Sequence, residues 1–418
     1  MQNRMRLSNN KLSKLASINF AVLLFWSLNP YIRWIIPAEL ALVALFISTS
    51  TITLLLNKNT KMGIGFGRSR IIILLATFCF VIYFTTPLVH SMRWGHFLFF
   101  ITFLFVIPLN NMIVYMGFRF LKKVIVILSV IALVYWVLNY LKVPLPYIPY
   151  ISEARGIGQG DYYRIYGPVI SLYRGALPIG GGLERICCVF GEPGHYGIYI
   201  AFILAIEKFR FKKKENLFLV LIGCLTFSTA YFGLLSLGLF YRIILDRGFK
   251  QDVKKVASIF GVILISLFLF NSKNVFETAI QRVVENNKVE SIADMVENRA
   301  LKSTKDTFES FAKTGKLVIG NGYEDNSIQT TNWRGLIYQF GIVGLCLVAF
   351  LVLSIIRKKS YLYALLLLAM TVLVALHRVF FMYSTTIYIL LFTAMCVDAV
   401  EERVKSLLRK SQIKIIKE

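Results

Sequence analysis

Residues 185–206 read RICCVFGEPGHYGIYIAFILAI, and the rest of the chain is interpreted outward from this stretch. It carries Arg185 at its start and Glu192 and His195 around a Pro193-Gly194 break, and it continues as an apolar run. About 20 apolar residues can cross the hydrocarbon core of a bilayer, which is about 30 Å thick. Glu192 and His195 stand where this predicted span starts, and an ionisable group there is costly, so both are candidates for function. The structural alternative is an acid near a helix N-terminus and a histidine at the level of the lipid headgroups.

The composition of the whole chain is that of a helical membrane protein. Of its 418 residues, 57% are hydrophobic and only 17% are charged, whereas soluble proteins have about 25% charged residues. Lysine and arginine cluster between the apolar runs, which is the pattern that marks cytoplasmic loops. The net charge of +25 is therefore explained by membrane orientation, and we predict no nucleic-acid partner. The six cysteines show no metal-ligand spacing and are interpreted as small apolar residues.

The alternation of apolar runs and basic segments predicts an all-α polytopic membrane protein. It has about 12 transmembrane helices, two large extracytoplasmic loops and both termini in the cytoplasm. The predicted domains are about five N-terminal helices in 1–141, a first large periplasmic loop in 142–185, central helices in 186–271, a second large periplasmic loop in 272–333, and C-terminal helices with a basic cytoplasmic tail in 334–418.

Two details of this topology depend on the positions of basic residues. Arg119, Lys122 and Lys123 predict a cytoplasmic connection between the fourth and fifth spans. The apolar run at 217–245 predicts two short spans hinged near Ser228, since a single span would place the basic residues that follow it outside the cell. Short paired segments of this kind also occur as broken helices at binding sites.

The first outer loop is predicted to be structured and to bind an anionic ligand. Its prolines forbid a continuous helix, and its many tyrosines argue against disorder. Arginine grips phosphate oxygens in a fork geometry, and tyrosine rings can stack on sugars, so the loop suits a polyprenyl diphosphate with attached sugars. The alternative is that these side chains anchor the loop in the headgroup layer. The arginines of the loop are Arg155, Arg164, Arg174 and Arg185.

The second outer loop is predicted to hold an amphipathic helix along the membrane surface, because apolar residues recur in it at roughly helical spacing. Arg299 lies on the apolar side of this stretch, and Arg334 begins the next span, so each is a candidate to line a site. The dipeptide His377-Arg378, between the last two spans, is either a tight loop or a charged pair that faces the same cavity.

Three short segments resemble motifs of one known family. They are FGEPGHYG at 190–197, FSTAYFGLL at 227–235, and KLVIGNGY at 316–323 followed by NWRGLIYQFGIVGL at 332–345. Together with two large outer loops among about 12 spans, they resemble the O-antigen polymerases (Wzy-type) and the related O-antigen ligases. Arg164 followed by Gly175 also fits an Arg-x10-Gly pattern of some polymerases. Ligases carry a histidine near the end of the second loop, where this chain has Thr331-Asn332, and this departure favours a polymerase.

The resemblance implies a glycosyltransferase C-like fold and an inner-membrane enzyme of lipopolysaccharide or other surface-polysaccharide biosynthesis. Such an enzyme transfers a growing glycan from undecaprenyl diphosphate to a lipid-linked repeat unit at the periplasmic face. Glu192 or His195 would act as the base for the acceptor hydroxyl or would orient an arginine, and arginines would stabilise the diphosphate without a metal or other cofactor. The implied catalytic residues are Arg185, Glu192 and His195, and the implied substrate-binding residues are Arg164, Arg174, Arg299, Tyr323, Arg334 and Arg378.

The partners implied are the undecaprenyl-diphosphate-linked oligosaccharide, membrane lipid, a chain-length regulator and a flippase. Three other functions compete with the polymerase: a lipid-linked oligosaccharide flippase or other transporter, an O-antigen ligase, and a non-enzymatic scaffold. A transporter usually needs no long outer loops and carries its ionisable groups in the middle of its spans. A scaffold has no use for the Glu-Pro-Gly-His cluster.

Overall fold

The structure is a computed structural model that describes residues 2–36, 38–60, 68–69, 71–77, 94–141, 143–151, 162–173, 185–245, 302–321, 333–356, 361–378, 380–383 and 385–417. These residues are mostly helical, as predicted. The chain divides into two compact units. The first unit comprises Met1–Asn29, Arg33–Lys122 and Asn298–Glu418, and the second unit comprises Pro30–Ile32 and Lys123–Glu297.

The helices follow one another in a simple order. They are α1 (Gln2–Ser27), α2 (Ile32–Ile35), α3 (Ala38–Thr60), α4 (Trp94–Val106), α5 (Asn111–Tyr140), α6 (Pro193–Ile206), α7 (Lys214–Leu225), α8 (Thr229–Leu245), α9 (Lys302–Ala312), α10 (Trp333–Ile355), α11 (Tyr361–His377), α12 (Phe380–Tyr383) and α13 (Thr385–Lys417). A short 3-10 helix, Gly315–Leu317, follows α9.

Several of these helices are strongly apolar. Within the described part of the chain, two segments are long and apolar enough to cross a membrane: Asn111–Asn139 in α5 and Arg334–Ile355 in α10. Four shorter apolar segments have 10–17 residues: Leu40–Leu56, Pro193–Ile206, Thr229–Ile244 and Tyr361–Leu376. The predicted number of about 12 spans and their orientation stay predictions.

The connection predicted between the fourth and fifth spans is wrong, because α5 runs without interruption through Arg119, Lys122 and Lys123. The break between α4 and α5 lies at 107–110 instead. Pro108 in this turn has no backbone N–H to donate to a helix. Asn110 then caps α5, since its side-chain oxygen accepts a hydrogen bond from the N–H of Met112 at 3.0 Å. The basic residues led to a wrong position for the connection, because Lys and Arg are good helix formers and do not end a helix.

The turn between α4 and α5 is fastened by Arg68. The guanidinium of Arg68 donates to the carbonyl oxygen of Leu109 at 2.6 Å and to the side-chain oxygen of Asn111. The connection at Arg119, Lys122 and Lys123, which this turn replaces, was predicted to be cytoplasmic, and the side on which the turn lies stays a prediction.

The break predicted near Ser228 is confirmed. Helix α7 ends at Leu225, and α8 begins at Thr229. Between them Phe227 has a φ of 46°, which a non-glycine residue adopts only in a sharp turn.

The described part of the predicted first outer loop contains a small antiparallel sheet, which corrects the all-α prediction at this place. Its strands are β1 (Ile148–Tyr150), β2 (Tyr162–Tyr166) and β3 (Val169–Tyr173), in the order β1-β2-β3. Tyr166 pairs with Val169 across a two-residue turn in which Gly167 has a φ of 72°, as tight hairpins require. The prediction that this loop is structured is thus confirmed for the described residues.

Part of the predicted amphipathic helix is present as α9. Its apolar side packs on α10, with the ring centroids of Phe311 and Tyr338 4.6 Å apart and those of Phe308 and Phe311 6.1 Å apart. Phe311 is only 5% exposed. The apolar side of α9 is therefore covered by protein, which accounts for it without a membrane surface. The earlier part of the predicted stretch, with Arg299, lies outside the described residues.

Candidate functional site

The segment 185–190 belongs to no helix and to none of the three strands, and it lies among three neighbours in the second unit. Its backbone is tied to the end of α7, to β3 and to the residues after α1. These ties are the hydrogen bonds of Ile186 to Leu225 (3.4 Å), Ile170 to Cys188 (2.7 Å) and Tyr31 to Val189 (2.8 Å). Residue 188 also has a positive φ of 56°, so the chain turns sharply just before α6 begins.

Glu192 and His195 form a pair at the N-terminus of α6. Glu192 is the N-cap residue, with an extended backbone, and Pro193 occupies the first turn, where its missing N–H costs nothing. The Nε2 atom of His195 lies 3.4 Å from the Oε2 atom of Glu192. The side chain of Glu192 is 37% exposed and that of His195 only 10%. The carboxylate of Glu192 is thus accessible to solvent, whereas the imidazole of His195 is largely buried.

Arg185 binds the break between α7 and α8. Its Nε atom donates to the carbonyl oxygen of Thr226 at 2.8 Å, and one of its terminal nitrogens donates to that of Phe227 at 2.9 Å. Carbonyl groups at the C-terminal end of a helix have no partner within the helix, and a cation there also interacts favourably with the helix dipole. The geometry assigns Arg185 a fastening role, and its contact with substrate stays a prediction.

The first two family-like motifs pack directly on one another. A Cβ atom on Gly197 would lie 2.9 Å from Cβ of Tyr231 and 3.2 Å from Cβ of Ser228. A Cβ atom on Gly223 would lie 2.2 Å from Cζ of the same Tyr231. The Tyr231 ring is fully buried, and its hydroxyl donates to the carbonyl oxygen of Val220 at 3.2 Å. The absence of side chains at Gly197 and Gly223 thus leaves room for the ring of Tyr231. Through this ring the α7–α8 break packs against α6.

The sheet is joined to the same segment through β2. Alternate residues of a strand point to opposite faces. Tyr163 and Ile165 point to one face, which we call the inner face, and both are buried, as is Tyr166 on the other face. The hydroxyl of Tyr163 donates to the carbonyl oxygen of Gly191 at 2.9 Å. The position of the sheet is therefore coupled to the residue just before Glu192.

The other face of β2 carries a group that we call the tyrosine–arginine face: Tyr147, Tyr162, Arg164 and Tyr166. The rings of Tyr147 and Tyr162 are nearly parallel, at 26° and 6.2 Å. Cζ of Arg164 lies 5.0 Å from the ring centre of Tyr147 and 5.7 Å from that of Tyr162, within the range of a cation–π contact.

Hydrogen bonds order this face further. The hydroxyls of Tyr147 and Tyr162 lie 3.1 Å apart, and this hydrogen bond raises the pKa of Tyr147, while the charge of Arg164 lowers it to a smaller extent. Tyr166 stacks on Tyr135 of α5 at 5.1 Å and is hydrogen-bonded to Asn139. The sequence YYRIY carried an alternation signal for this arrangement, but it did not reveal Tyr147 as a neighbour of Arg164.

A small cleft lies between α5, β3 and the segment 185–188. Its polar lining is formed by Tyr135, Asn139, Ser171 and Arg185, and aliphatic, aromatic and thiol side chains complete it. Among the residues that the structure describes, no three His, Cys, Asp or Glu side chains are grouped closely enough to hold a metal ion.

The third family-like motif belongs to the first unit, where its two halves interlock. Helix α10 is interrupted at Gly341, with φ 62° and ψ −174°. The chain before it fills the interruption: Val343 N–H donates to Val318 at 3.1 Å, and Asn321 N–H donates to Tyr338 at 2.7 Å. A Cβ on Gly320 would lie 2.3 Å from the carbonyl oxygen of Gln339. The described end of the predicted second outer loop thus packs into the interruption of α10.

The remaining predicted site residues are distributed as follows. Arg164, Arg185, Glu192 and His195 belong to the second unit, and Arg334 and Arg378 belong to the first. Arg334 lies half-buried in the first turn of α10, and Arg378 lies half-buried just after α11. Arg174, Arg299 and Tyr323 lie outside the described residues.

Comparison of this chain with family models, with curated proteins and with solved structures found no match in any of them. The family likeness therefore depends on the motifs in the sequence.

Proposed function

We propose that the chain is a polytopic enzyme of the bacterial inner membrane that polymerises a surface polysaccharide such as the O-antigen. It would have about 12 transmembrane helices in a glycosyltransferase C-like arrangement, two large periplasmic loops and cytoplasmic termini. One observation carries the proposal: two of the three family-like motifs pack on each other and present the Glu192–His195 pair with its carboxylate accessible. The proposed reaction is that of the family which these motifs resemble.

The exposure of α5 supports a membrane location. Only 28% of its most apolar 18-residue window is buried inside the protein. Ile127, Val130 and Val134 are 60%, 47% and 51% exposed. Contiguous apolar surface of this extent is unfavourable in water, and a lipid bilayer would cover it.

The proposed reaction is a glycosyl transfer between two lipid-linked substrates. A hydroxyl oxygen of the acceptor sugar bonds to the anomeric carbon of the donor glycan, and the bond from that carbon to the diphosphate oxygen breaks. The hydroxyl proton passes to a base, and the electron pair of the broken bond leaves with the diphosphate. We assign Glu192 as the base because its carboxylate is the accessible member of the pair, and His195 as the residue that orients it.

Arginines would stabilise the leaving diphosphate, since guanidinium groups bind phosphate oxygens in pairs and act most strongly away from bulk water. The candidates for this role are Arg164, Arg174, Arg185, Arg299 and Arg378, with Arg334 and Tyr323 as further substrate contacts. The proposed reaction needs no metal or organic cofactor. A chain-length regulator and a flippase are the proposed protein partners.

The test is deletion of the gene in its host, followed by gel display of the surface polysaccharide. The proposal expects one repeat unit per acceptor after deletion and long chains after return of the wild-type gene. Glu192→Gln should lower the polymerisation rate by about 10²–10⁴-fold at an unchanged protein level, whereas Glu192→Asp should retain part of it. Wild-type chain lengths in Glu192→Gln would remove the proposed base.

A lipid-linked oligosaccharide transporter is the second candidate, favoured by the helix breaks. Transporters commonly use discontinuous helices at their binding sites, and both the α7–α8 break and the interruption at Gly341 are of this kind. The same gel separates the two functions, because loss of a flippase or of a ligase removes every repeat unit from the acceptor.

A further inference from the structure

The turn between α6 and α7, at 207–213, is anchored firmly in the second unit. Phe209 and Phe211 are fully buried, and the N–H of Phe209 donates to the carbonyl oxygen of Leu204 at 2.7 Å. The side-chain amide of Asn216, which is also fully buried, donates to the carbonyl oxygen of Arg210 at 2.8 Å. The basic residues of this turn therefore extend from a fixed backbone.

The surface of the turn is strongly basic. Residues 207–215 contain five lysines and arginines against two glutamates. One of these glutamates, Glu207, is only 3% exposed and accepts a hydrogen bond from Nζ of Lys213, so its charge is neutralised inside the protein. The side chains of Lys212 and Lys214 are exposed. Positive charge therefore dominates the accessible part of the turn.

Helix α8 passes directly beside this turn and adds an apolar surface. A Cβ atom on Gly238 would lie 2.2 Å from Cζ of Phe209, so the two elements are in contact. Arg242 follows Gly238 by four residues, which places it on the same face of α8. A different face of α8 carries three exposed apolar side chains at helical spacing, which we call the α8 stripe. They are Phe240, Ile243 and Ile244, with 62%, 57% and 52% exposure.

Cations beside an exposed apolar stripe match a molecule that has an anionic head and an apolar tail. Each lysine or arginine near a bilayer surface strengthens binding of an anionic lipid about fivefold. A lipid without net charge has the same tail but gains nothing from the cations. A soluble phosphate or a nucleic acid has no apolar part to cover the stripe, whose exposure to water is unfavourable. The two features together favour an anionic phospholipid.

We propose that this end of the second unit binds one anionic phospholipid of the cytoplasmic leaflet. Its phosphate lies among the cations of the turn and α8, and an acyl chain lies along the α8 stripe. This inference rests on the membrane location in the proposed function and adds a ligand that the proposed reaction does not use. Helix α6 has 14 residues and begins next to Glu192, so the lipid lies about 21 Å along the helix from that carboxylate. The cations of the site are Lys208, Arg210, Lys212, Lys214 and Arg242.

Binding is measured with tritiated dioleoyl phosphatidylglycerol on the full chain, immobilised in detergent on scintillant beads. Three unlabelled competitors are compared. Dioleoyl phosphatidylglycerol gives the reference affinity, and dioleoyl phosphatidylcholine has the same chains without net charge. Inorganic phosphate, added at constant ionic strength, tests whether the site takes the anion alone.

The proposal expects phosphatidylcholine to compete at least about tenfold less well than phosphatidylglycerol, and inorganic phosphate not to compete. The double variant Lys212→Gln/Lys214→Gln should weaken phosphatidylglycerol binding by about 30-fold. The matched control is Lys11→Gln/Lys14→Gln, which removes two exposed lysines from α1 and should bind as the wild type does. Ile243→Ala/Ile244→Ala should weaken both lipids alike, because it removes apolar contact and no charge.

Four results would overturn the proposal. They are equal affinity of the wild type for the two lipids, wild-type binding by Lys212→Gln/Lys214→Gln, equal loss in the two lysine double variants, and displacement of the labelled lipid by inorganic phosphate. The first and the last need no variant, so they decide even if a substitution disturbs folding.

The outcome is separable from that of the proposed function. A wild-type chain that restores long polymer but does not distinguish the two lipids would refute this site alone. A deletion strain with normal polymer would refute the proposed function, whatever the lipid binding gives.

Discussion

Replacing Arg185 by alanine tests whether this side chain holds the α7–α8 break in place. In the structure its guanidinium donates to the carbonyl oxygens of Thr226 and Phe227 at 2.8 and 2.9 Å. Thr226 is fully buried, so water cannot readily replace the lost donor there. We therefore expect Arg185→Ala to loosen the break and the neighbouring motifs before it affects any chemistry.

The size of the effect follows from these two contacts. A hydrogen bond from a charged donor contributes about 1.5–3 kcal/mol to stability. Arg185 itself is only half-buried, and water would recover part of the loss at Phe227, so the expected cost is about 2–4 kcal/mol. At roughly 2–4 °C per kcal/mol, the melting temperature should fall by roughly 4–16 °C. Arg185→Lys can satisfy one carbonyl and should lose about half as much.

The assay is thermal unfolding of the detergent-purified chain, followed by tryptophan fluorescence. Arg403→Ala is the control, because Arg403 is exposed on α13 and its removal should change stability by less than about 0.5 kcal/mol. An unchanged melting temperature in Arg185→Ala would refute the fastening role. Together with loss of polymer at normal protein levels, it would indicate instead that Arg185 contacts substrate.

Two further predictions concern the packing of α7 and the first outer loop. Gly223→Ala should destabilise the chain by about 1–3 kcal/mol through overpacking, because the added Cβ would lie 2.2 Å from the Tyr231 ring. Gly315→Ala is the control and should be near neutral, since no atom lies within 4 Å of its added Cβ. Equal melting temperatures of the two variants would contradict the prediction. Tyr147 should stay protonated as the pH rises past about 10, because its hydrogen bond to Tyr162 raises its pKa. This hydrogen bond is lost only above that raised pKa. Ultraviolet difference titration of the wild type against Tyr147→Phe measures the midpoint of Tyr147. Tyr162→Phe should lower the Tyr147 midpoint, and a midpoint that does not move would contradict the assignment.

Helix boundaries were predictable from the sequence where charge and chain geometry agree. The break near Ser228 was found from the basic residues that follow α8, and the structure has it at 226–228. The connection at Arg119 to Lys123 was misplaced because charge shows which side a segment lies on and does not itself end a helix. Pro108 and the capping side chain of Asn110 carried the boundary, and both were visible in the sequence.

The candidate site was predictable only where its residues are close in the sequence. Glu192 and His195 are three residues apart, so a helix that starts at Pro193 brings them together by itself. The partners of Arg185, in contrast, are carbonyl groups about 40 residues away, and a backbone acceptor has no signature in residue types. Tyr147 meets Arg164 for a similar reason, since the pairing of β1 with β2 sets that contact.

The first unit has a consequence for how the protein is made. The hydroxyl of Thr386 donates to the carbonyl oxygen of Ser27 at 2.5 Å, across 359 residues of sequence. At about 5–20 residues per second, α1 leaves the ribosome roughly 20–70 s before α13 exists to receive it. The second unit, which is continuous apart from Pro30–Ile32, can close within that interval. Until α13 follows, nascent α1 can pack only on earlier helices such as α3, where its Asn19 donates a hydrogen bond to Thr49 at 2.8 Å, and nonsense mutations near the 3′ end of the gene would remove the partner of Ser27.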